Sequence, residues 1–441
     1  MGAKLPRFSL EGYDQGQILH KDDRTMPHRF PWWRLSLLSI GGSLLFGVGL
    51  PVVLEEVLGD RTGSTVQQNC QAASSTDFLV AGGGGAPSYN EIALEKNVLY
   101  FQRTLQAMGF NPSAAEVYFA NGTNGQATIR YMDEQGQIQF KVPDIPNLTG
   151  ASTFNNLRSW VAERAEAGST RPIFFYFTGH GLRNEQDLNN NAIALWGNQQ
   201  VSVQQLAQVF DTLPPETPVV AMMAQCYSGS FANLMYEGGK PFNRVASQNR
   251  CGFFATIRTL PSVGCTPEVN EADYEDYSSS FFAGLSGISR TGERVSSADY
   301  NRDGHVVYAE AHAFAKVDEE TTDLPISTSE VWLQEQAAIA TQDAILNQPM
   351  QATLETARPE QRYVVEALAQ SFGFDLNRSF IENQTDLQSR VAMGEVPLTY
   401  LERIRMELIN IGMEAQVRTS GDEEAIAILD RLLNCENGYW Q

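Results

Sequence analysis

The sequence predicts an α/β fold, with a mostly parallel sheet flanked by helices, a helical C-terminal region and one N-terminal transmembrane helix. Three observations predict this architecture. Short apolar runs alternate with segments of helical periodicity up to about residue 330, which is typical of βαβ units. Beyond that point the pattern is helical only. Residues 35–54 form an uncharged, mostly apolar run of about the length that crosses a bilayer as a helix.

The run at 35–54 is predicted to be a signal anchor. Basic residues precede it and acidic residues follow it, so the positive-inside rule places residues 1–34 in the cytoplasm as a tail. Residues 55–76 then form an extracytoplasmic stalk, and the rest of the chain is also extracytoplasmic, or periplasmic in a bacterium. The alternative is a cleaved signal peptide, although this run exceeds the usual apolar length of about 7–15 residues.

The predicted strands of the α/β domain, residues 77–330, are short apolar runs. They lie at 77–81, 117–120, 173–177, 219–224 and 252–256. The helices between them show one apolar face each, and one of them carries Leu94, Val98, Phe101, Leu105 and Met108 on that face. A second helix carries Leu157, and Ser202 caps a third. Parallel strands connected in this way form a sheet covered on both faces.

The C-terminal region, residues 331–441, has helical patterns and no strand pattern. Helices are predicted at 332–347, from Pro359 onward, at 398–412 and from Ser420 onward. Ser420 and Glu423 have the spacing of a capping box, which marks the start of the last helix.

Composition excludes two classes of function. The net charge is −21, and no basic run occurs outside the first 34 residues, so a nucleic-acid partner is not expected. The five cysteines lack the C-x-x-C spacing of zinc and redox sites. An oxidising compartment would permit disulfides, and Cys251 with Cys265 is the most local pair.

The candidate chemistry lies where two predicted strands end. His180 follows one strand between two glycines, and Cys226 follows the next strand. The carboxyl ends of parallel strands meet at one edge of a sheet, so the two side chains are expected to lie together. A cysteine peptidase needs a thiolate nucleophile, an imidazole for proton transfer and N–H donors for the oxyanion. His180 precedes Cys226 by 46 positions, close to the roughly 50 of the caspase-type signature.

The stretches T-G-H-G and Q-C-Y-S-G-S, in this order and strand context, resemble the caspase/legumain-like cysteine peptidases. The nearest members are legumain-type and bacterial caspase-like, and the resemblance covers residues 77–330. It implies a caspase/haemoglobinase-like fold and a cysteine endopeptidase that acts on peptide or protein substrates without an organic cofactor, and the run at 35–54 would anchor this enzyme in the membrane. It further implies Cys226 as the nucleophile, His180 as the acid/base, and the N–H groups of Gly181 and Cys226 as the oxyanion hole.

The sequence departs from this family at two points and resembles it at a third. The legumain-type Asn that supports the catalytic histidine is replaced in the glycine loop 81–85, and Asn90 is the nearest substitute. The acidic pocket residue two positions before the nucleophile is replaced by Ala224, so a preference for Arg, Lys or Asn does not follow. The segment that resembles the legumain chain running past the substrate pocket carries Asp273, Asp276 and Ser278.

Residues 299–310 match the EF-hand calcium loop. The template has side-chain ligands at positions 1, 3, 5 and 12, which correspond here to Asp299, Asn301, Asp303 and Glu310, and Gly304 stands at its turn position. The backbone carbonyl of His305 would complete the set, and a helix is predicted at 308–316. The sequence therefore predicts a Ca²⁺ site.

Two alternatives to hydrolysis remain open. The same dyad would serve a transamidase or ligase in which an amine resolves the thioester. A non-enzymatic alternative is a catalytically inactive, calcium-stabilised binding scaffold tethered to the membrane.

Overall fold

The computed structural model describes residues 75–390 and 392–440. The tail, the predicted span at 35–54 and most of the stalk lie outside these residues. Within the part described, no helix combines the length and apolar character needed to cross a bilayer.

The strands of this part are, in chain order, β1 (Asp77–Gly82), β2 (Ala115–Phe119), β3 (Ile129–Met132), β4 (Ile138–Lys141), β5 (Leu148–Gly150), β6 (Ile173–Thr178), β7 (Gly181–Leu182), β8 (Ala192–Leu195), β9 (Gln199–Ser202), β10 (Val219–Met223), β11 (Arg250–Phe254) and β12 (Ile326–Ser327). The helices are α1 (Ile92–Ala107), α2 (Phe154–Glu166), α3 (Val203–Phe210), α4 (Tyr277–Ser286), α5 (Tyr308–Asp318), α6 (Thr328–Gln336), α7 (Ile339–Asn347), α8 (Met350–Leu354), α9 (Pro359–Phe372), α10 (Phe380–Arg390), α11 (Glu395–Thr419) and α12 (Glu423–Glu436).

The central sheet confirms the prediction of an α/β fold with a mostly parallel sheet. Its strand order is β12-β11-β10-β6-β1-β2-β5, and only β12 runs antiparallel to its neighbour. Each strand predicted from an apolar run is present, with ends that differ by a few residues at most.

Helices cover both faces of this sheet. Val80, Tyr176 and Met222 point to one face, where α1, α4 and α5 supply apolar partners. Ala81 and Phe177 point to the other face, where α2 and α3 pack. Because consecutive side chains of a strand alternate between faces, only apolar runs satisfy both cores, which is why these strands were recognisable.

Two small antiparallel sheets were not predicted. One is the β3–β4 hairpin, and the other consists of β7, β8 and β9. Their strands have two to four residues, and β4 is largely exposed. Such segments are too short to mark a strand in the sequence, even in β8, whose four residues are all apolar.

The C-terminal helices share one core, and their boundaries correct two predictions. The helix expected at 332–347 is broken between α6 and α7. Leu333 and Leu346 are both buried in this core, but an unbroken helix turning about 100° per residue would point them about 140° apart. The last helix is capped by Asp422, which accepts the N–H of Ala425, whereas Ser420 ends α11.

The cysteine pairing also differs from the expected one. Cys251 in β11 forms a disulfide with Cys435 in α12, with Cα atoms 6.0 Å apart, while Cys226 and Cys265 are free thiols. The expected pair of Cys251 with Cys265 is therefore wrong. The segment after β11 carries Cys265 to the carboxyl edge of the sheet, whereas α12 packs directly on β11. Cys70 lies outside the described residues.

Candidate active site

Two neighbouring strands bring His180 and Cys226 to one edge of the sheet. β6 and β10 pair in parallel, with Phe177 opposite Met223, and each candidate residue follows its strand end by two or three positions. The backbone of Gly181 approaches the Cys226 carbonyl so closely that a Cβ at Gly181 would lie 1.9 Å from that oxygen. A glycine after the histidine is thus required for the two segments to meet.

One nitrogen of the His180 ring is fixed by two acceptors. Its Nε2 lies 3.0 Å from the carbonyl oxygen of Tyr89 and 3.0 Å from a carboxylate oxygen of Glu91. Both partners are acceptors, so Nε2 carries a proton, and Nδ1 is left as the nitrogen that can exchange one. Glu91 is in turn paired with Arg130, at 3.4 Å. Neither Tyr89 nor Glu91 was singled out from the sequence.

Opposing effects set the protonation of His180. Burial disfavours the imidazolium, but hydrogen bonds to the Cys265 sulfur and the Glu91 carboxylate, together with the charge interactions of both groups, outweigh burial and raise the pKa of His180 to about 10. The ring is therefore an imidazolium at neutral pH, ready to donate a proton.

The Cys226 sulfur is held by a loop that follows β11. Its Sγ accepts the Ser262 N–H at 3.2 Å and lies 3.4 Å from the Ser262 carbonyl oxygen. The next residue, Tyr227, has a φ of 58°, a left-handed conformation that is uncommon for a residue with a side chain. The chain therefore turns sharply just after Cys226, and only then enters the 3₁₀ helix Ser228–Met235.

Burial also controls the protonation of the Cys226 thiol. It raises the pKa of Cys226 to about 11, and the Ser262 N–H opposes this rise by stabilising the thiolate. At neutral pH the resting Cys226 is thus a thiol.

A second thiol lies at the same edge. Cys265 is exposed, and its Sγ lies 3.9 Å from the Gly179 carbonyl oxygen, one residue before His180. The sequence gave no sign of this position, because Cys265 follows no strand directly and comes 39 positions after Cys226.

Asn90 is buried and braces the glycine loop. Its amide oxygen accepts the N–H of Gly84 at 2.9 Å, and its amide nitrogen donates to the Thr128 carbonyl at 3.2 Å. The hydrogen bonds of the His180 ring go instead to Tyr89 and Glu91. Asn90 therefore shapes the glycine loop next to His180. The residue that supports the His180 ring is Glu91, and not Asn90 as expected from the sequence.

The four predicted pocket residues have different surroundings. Ala224 is half-buried against the core that contains α1 and α4. Asp273 is exposed, and Asp276 is buried, where it caps α4 and lies 3.5 Å from Arg290. Ser278 is buried and hydrogen-bonds the Tyr176 hydroxyl at 2.9 Å.

An acidic cleft lies beside this segment. It has a volume of about 340 Å³, and its walls include Tyr274, Glu275, Arg290 and Glu319. This volume falls in the range of about 300–1,000 Å³ that is common for ligand pockets. The sequence singled out the neighbouring residues and missed those that form the walls.

The loop at 299–310 is folded around its own polar side chains. The Asp299 carboxylate accepts the N–H groups of Asp303 and Gly304, at 3.1 and 3.0 Å, and the Asn301 oxygen accepts Asp303 N–H at 2.9 Å. Gly304 has a φ of 90°, as its turn position requires. Helix α5 follows, as predicted.

Two members of this loop face other groups. The Glu310 carboxylate accepts backbone N–H groups of Tyr300 and Val307, at 2.9 and 3.1 Å. The His305 ring stacks on Tyr439. In the part of the chain that the structure describes, no three His, Cys, Asp or Glu side chains are grouped closely enough to hold a metal by themselves. A cation here would depend on Asn301 and a backbone carbonyl as well.

Comparison of the chain with models of known protein families gives no match, and comparison with curated proteins gives none either.

Proposed function

We propose that this protein is a membrane-anchored, extracytoplasmic cysteine endopeptidase of caspase/legumain type. The observation that carries the proposal is the placement of His180 and Cys226 just past the carboxyl ends of the neighbouring parallel strands β6 and β10, with the Gly181 backbone against the Cys226 carbonyl. The arrangement supplies a thiol, an imidazole and nearby backbone N–H groups, which together suffice for acyl transfer.

In the proposed reaction, Cys226 gives up its proton to hydroxide in the solvent, because His180 is already an imidazolium, and the resulting thiolate attacks the substrate carbonyl. The oxyanion accepts hydrogen bonds from the N–H groups of Gly181 and Cys226, and the His180 imidazolium protonates the leaving amine. Water then hydrolyses the thioester on Cys226. Because Cys226 starts as a thiol with a pKa raised by burial, we expect the rate to rise with pH between 7 and 9.

The test is cleavage of a broad peptide library by the full chain, with Cys226→Ala and the matched variant Cys265→Ala. Cys226→Ala is expected to lose at least a thousandfold in cleavage, because no nucleophile remains. Cys265→Ala keeps the nucleophile and should retain measurable cleavage. Wild-type rates from Cys226→Ala would refute the proposal.

One observation favours the inactive scaffold as a second candidate. Burial raises the pKa of Cys226, whereas reactive cysteines usually have a lowered pKa. Labelling by an acyloxymethylketone peptide probe separates the two. An enzyme would be labelled at Cys226 and blocked by the label, whereas a scaffold would leave Cys226 unlabelled.

The proposed compartment rests on two features. The apolar run at 35–54 has basic residues before it and acidic residues after it. The disulfide between Cys251 and Cys435 is typical of oxidising compartments.

We propose in addition that loop 299–310 binds Ca²⁺. Asp299, Asn301, Asp303, Glu310 and the His305 carbonyl would hold the ion. Its positive charge would balance the carboxylates of Asp299 and Asp303 before α5 and of Glu310 in the first turn of α5. The fit is supported by the side chains of Asp299 and Asn301, which already fold inward onto the loop backbone. Because no second loop is apparent, we expect a weak site, with a Kd of about 10⁻⁴–10⁻³ M.

The calcium proposal is tested by thermal unfolding of the full chain with and without millimolar CaCl₂. The melting temperature of the wild type should rise, because the ion binds only the folded loop. Asp303→Asn should abolish most of this rise, and Asp343→Asn, on α7 and outside the loop, should keep it. An equal rise in all three proteins would contradict the assignment.

A further inference from the structure

The Cys226 thiol depends on a backbone donor that is itself in an irregular segment. The Ser262 N–H points at the sulfur, at 3.2 Å, and such a donor stabilises the thiolate. Ser262 belongs to neither a helix nor a strand, so no regular hydrogen-bond ladder fixes its direction. Something else must hold the N–H in place.

A single buried carboxylate holds this segment. One oxygen of Asp323 accepts the Ser262 hydroxyl at 2.6 Å, and the other accepts the Val263 N–H at 3.1 Å. Asp323 is fully buried, and it comes from the short segment between α5 and β12. Two consecutive residues are therefore fixed by one side chain, which sets the orientation of the peptide that faces Cys226.

The C-terminal helices hold Asp323 in turn. Arg403, on α11, is buried and donates to the backbone carbonyls of Asp323, Thr321, Glu319 and Lys316, at distances between 2.7 and 3.3 Å. The Tyr400 hydroxyl donates to the Glu319 carbonyl at 3.0 Å. The helical C-terminal region is thus connected to the Ser262–Val263 turn beside the thiol through two side chains, those of Arg403 and Asp323.

The groups around Asp323 have opposing effects on the pKa of its carboxyl. The Glu319 carboxyl is buried beside it, Arg403 lies on the other side, and Cys226 lies beyond Ser262. Burial raises the pKa of Asp323 to about 7, and the hydrogen bonds of Ser262 and Val263 and the Arg403 charge oppose that rise. Both donors need an acceptor, so they are satisfied best when Asp323 is ionised.

We propose that Asp323 is a positioning residue for Cys226, which fixes the Ser262–Val263 turn so that the Ser262 N–H points at the thiol sulfur. The inference rests on the proposed function for its role in catalysis. The geometric claim itself concerns only the reactivity of the thiol, so it can be tested without a substrate.

Two effects of Asp323 on Cys226 have opposite signs. Its negative charge disfavours the thiolate, whereas the N–H that it orients favours the thiolate, and the N–H has the larger effect on the pKa of Cys226. Removing the carboxylate charge alone would therefore make the thiol more acidic. Releasing the turn would make it less acidic, and this difference in sign separates positioning from simple repulsion.

The experiment measures iodoacetamide alkylation of the full chain between pH 6 and 10, with each cysteine quantified by mass spectrometry. In Asp323→Asn, an amide nitrogen that cannot accept replaces one of the two carboxylate oxygens and loosens the turn, so we expect Cys226 alkylation at pH 8 to fall about tenfold, as for a pKa rise of about one unit. Exposed Cys265 serves as an internal standard that should change little. Glu320→Gln, three residues away on the same segment, is the matched control and should behave as wild type.

Ser262→Ala gives a second, milder test. It removes the hydroxyl that Asp323 holds but keeps the N–H, and we expect a smaller decrease, of a few fold. This variant decides the question if Asp323→Asn fails to fold. Faster alkylation of Cys226, or an unchanged pH profile in a folded variant, would overturn the proposal. Normal sensitivity to Asp323 in a chain without peptidase activity would instead refute only the proposed function.

Discussion

At the scale of single residues, the partner of His180 could not be predicted although His180 and Cys226 could. Each of those two follows an apolar strand, a local signal that the sequence displays directly. The partner comes from about 90 positions earlier, and its identity depends on how the turn Pro87–Tyr89 leads into α1. That packing turns Asn90 toward Gly84 and leaves the neighbouring Glu91 to face the ring.

Glu91 should control the proton on His180. The carboxylate stabilises the imidazolium, so Glu91→Gln, which keeps the shape but loses the charge, should lower the pKa of His180 from about 10 by one unit or more. NMR titration of the ring can measure this, since the chain has five histidines. Arg130→Gln, which removes only the partner of Glu91, should change the pKa of His180 less. Equal values in Glu91→Gln and wild type would show that the ring is not charged by this carboxylate.

At the scale of helices and strands, the elements that the sequence predicted best are the strands that are buried on both faces of the sheet. The central strands are fully apolar because helices cover each face, so their sequence pattern is strong. The strands β7, β8 and β9 have only two to four residues each, so even the buried side chains of Ile193 and Val201 leave too short a pattern to recognise. The break between α6 and α7 had no local signal either, since it falls at two alanines, which favour helix. Only the shared core of Leu333 and Leu346 requires it.

The segment between α5 and β12 illustrates the same limit in the candidate site. Nothing in its composition distinguishes Asp323 from the acidic residues around it, because carboxylates in a loop are usually solvated. Its burial results from α11, which begins about 70 residues later and brings Arg403 onto the loop carbonyls. A residue whose role depends on such a distant helix can be found only from the folded chain.

At the scale of the whole molecule, Trp440, after the last helix, packs against the central sheet, including its first strand, β1. Trp440 is buried and packs edge-to-face on Phe78 in β1 and Phe174 in β6, with ring centroids 5.1 and 5.2 Å apart. The disulfide between Cys251 and Cys435 fixes α12 to β11 only five residues before that tryptophan. The C-terminal helices are therefore part of the core of the sheet, as well as a core of their own.

This connection predicts that reduction will destabilise the entire described unit. The disulfide closes a loop of 184 residues, and loss of such a cross-link raises the entropy of the unfolded chain, at a typical cost of about 2–5 kcal/mol. Urea unfolding of the wild type should therefore shift to lower midpoints when dithiothreitol is added. The double variant Cys251→Ala/Cys435→Ala should unfold at that lower midpoint with or without the reductant. Cys265→Ser, which alters a free thiol, should retain the wild-type midpoint and its response to dithiothreitol. If reduction left the wild-type midpoint unchanged, α12 and Trp440 would be held by packing alone, and the cross-link would contribute nothing to the stability of the sheet.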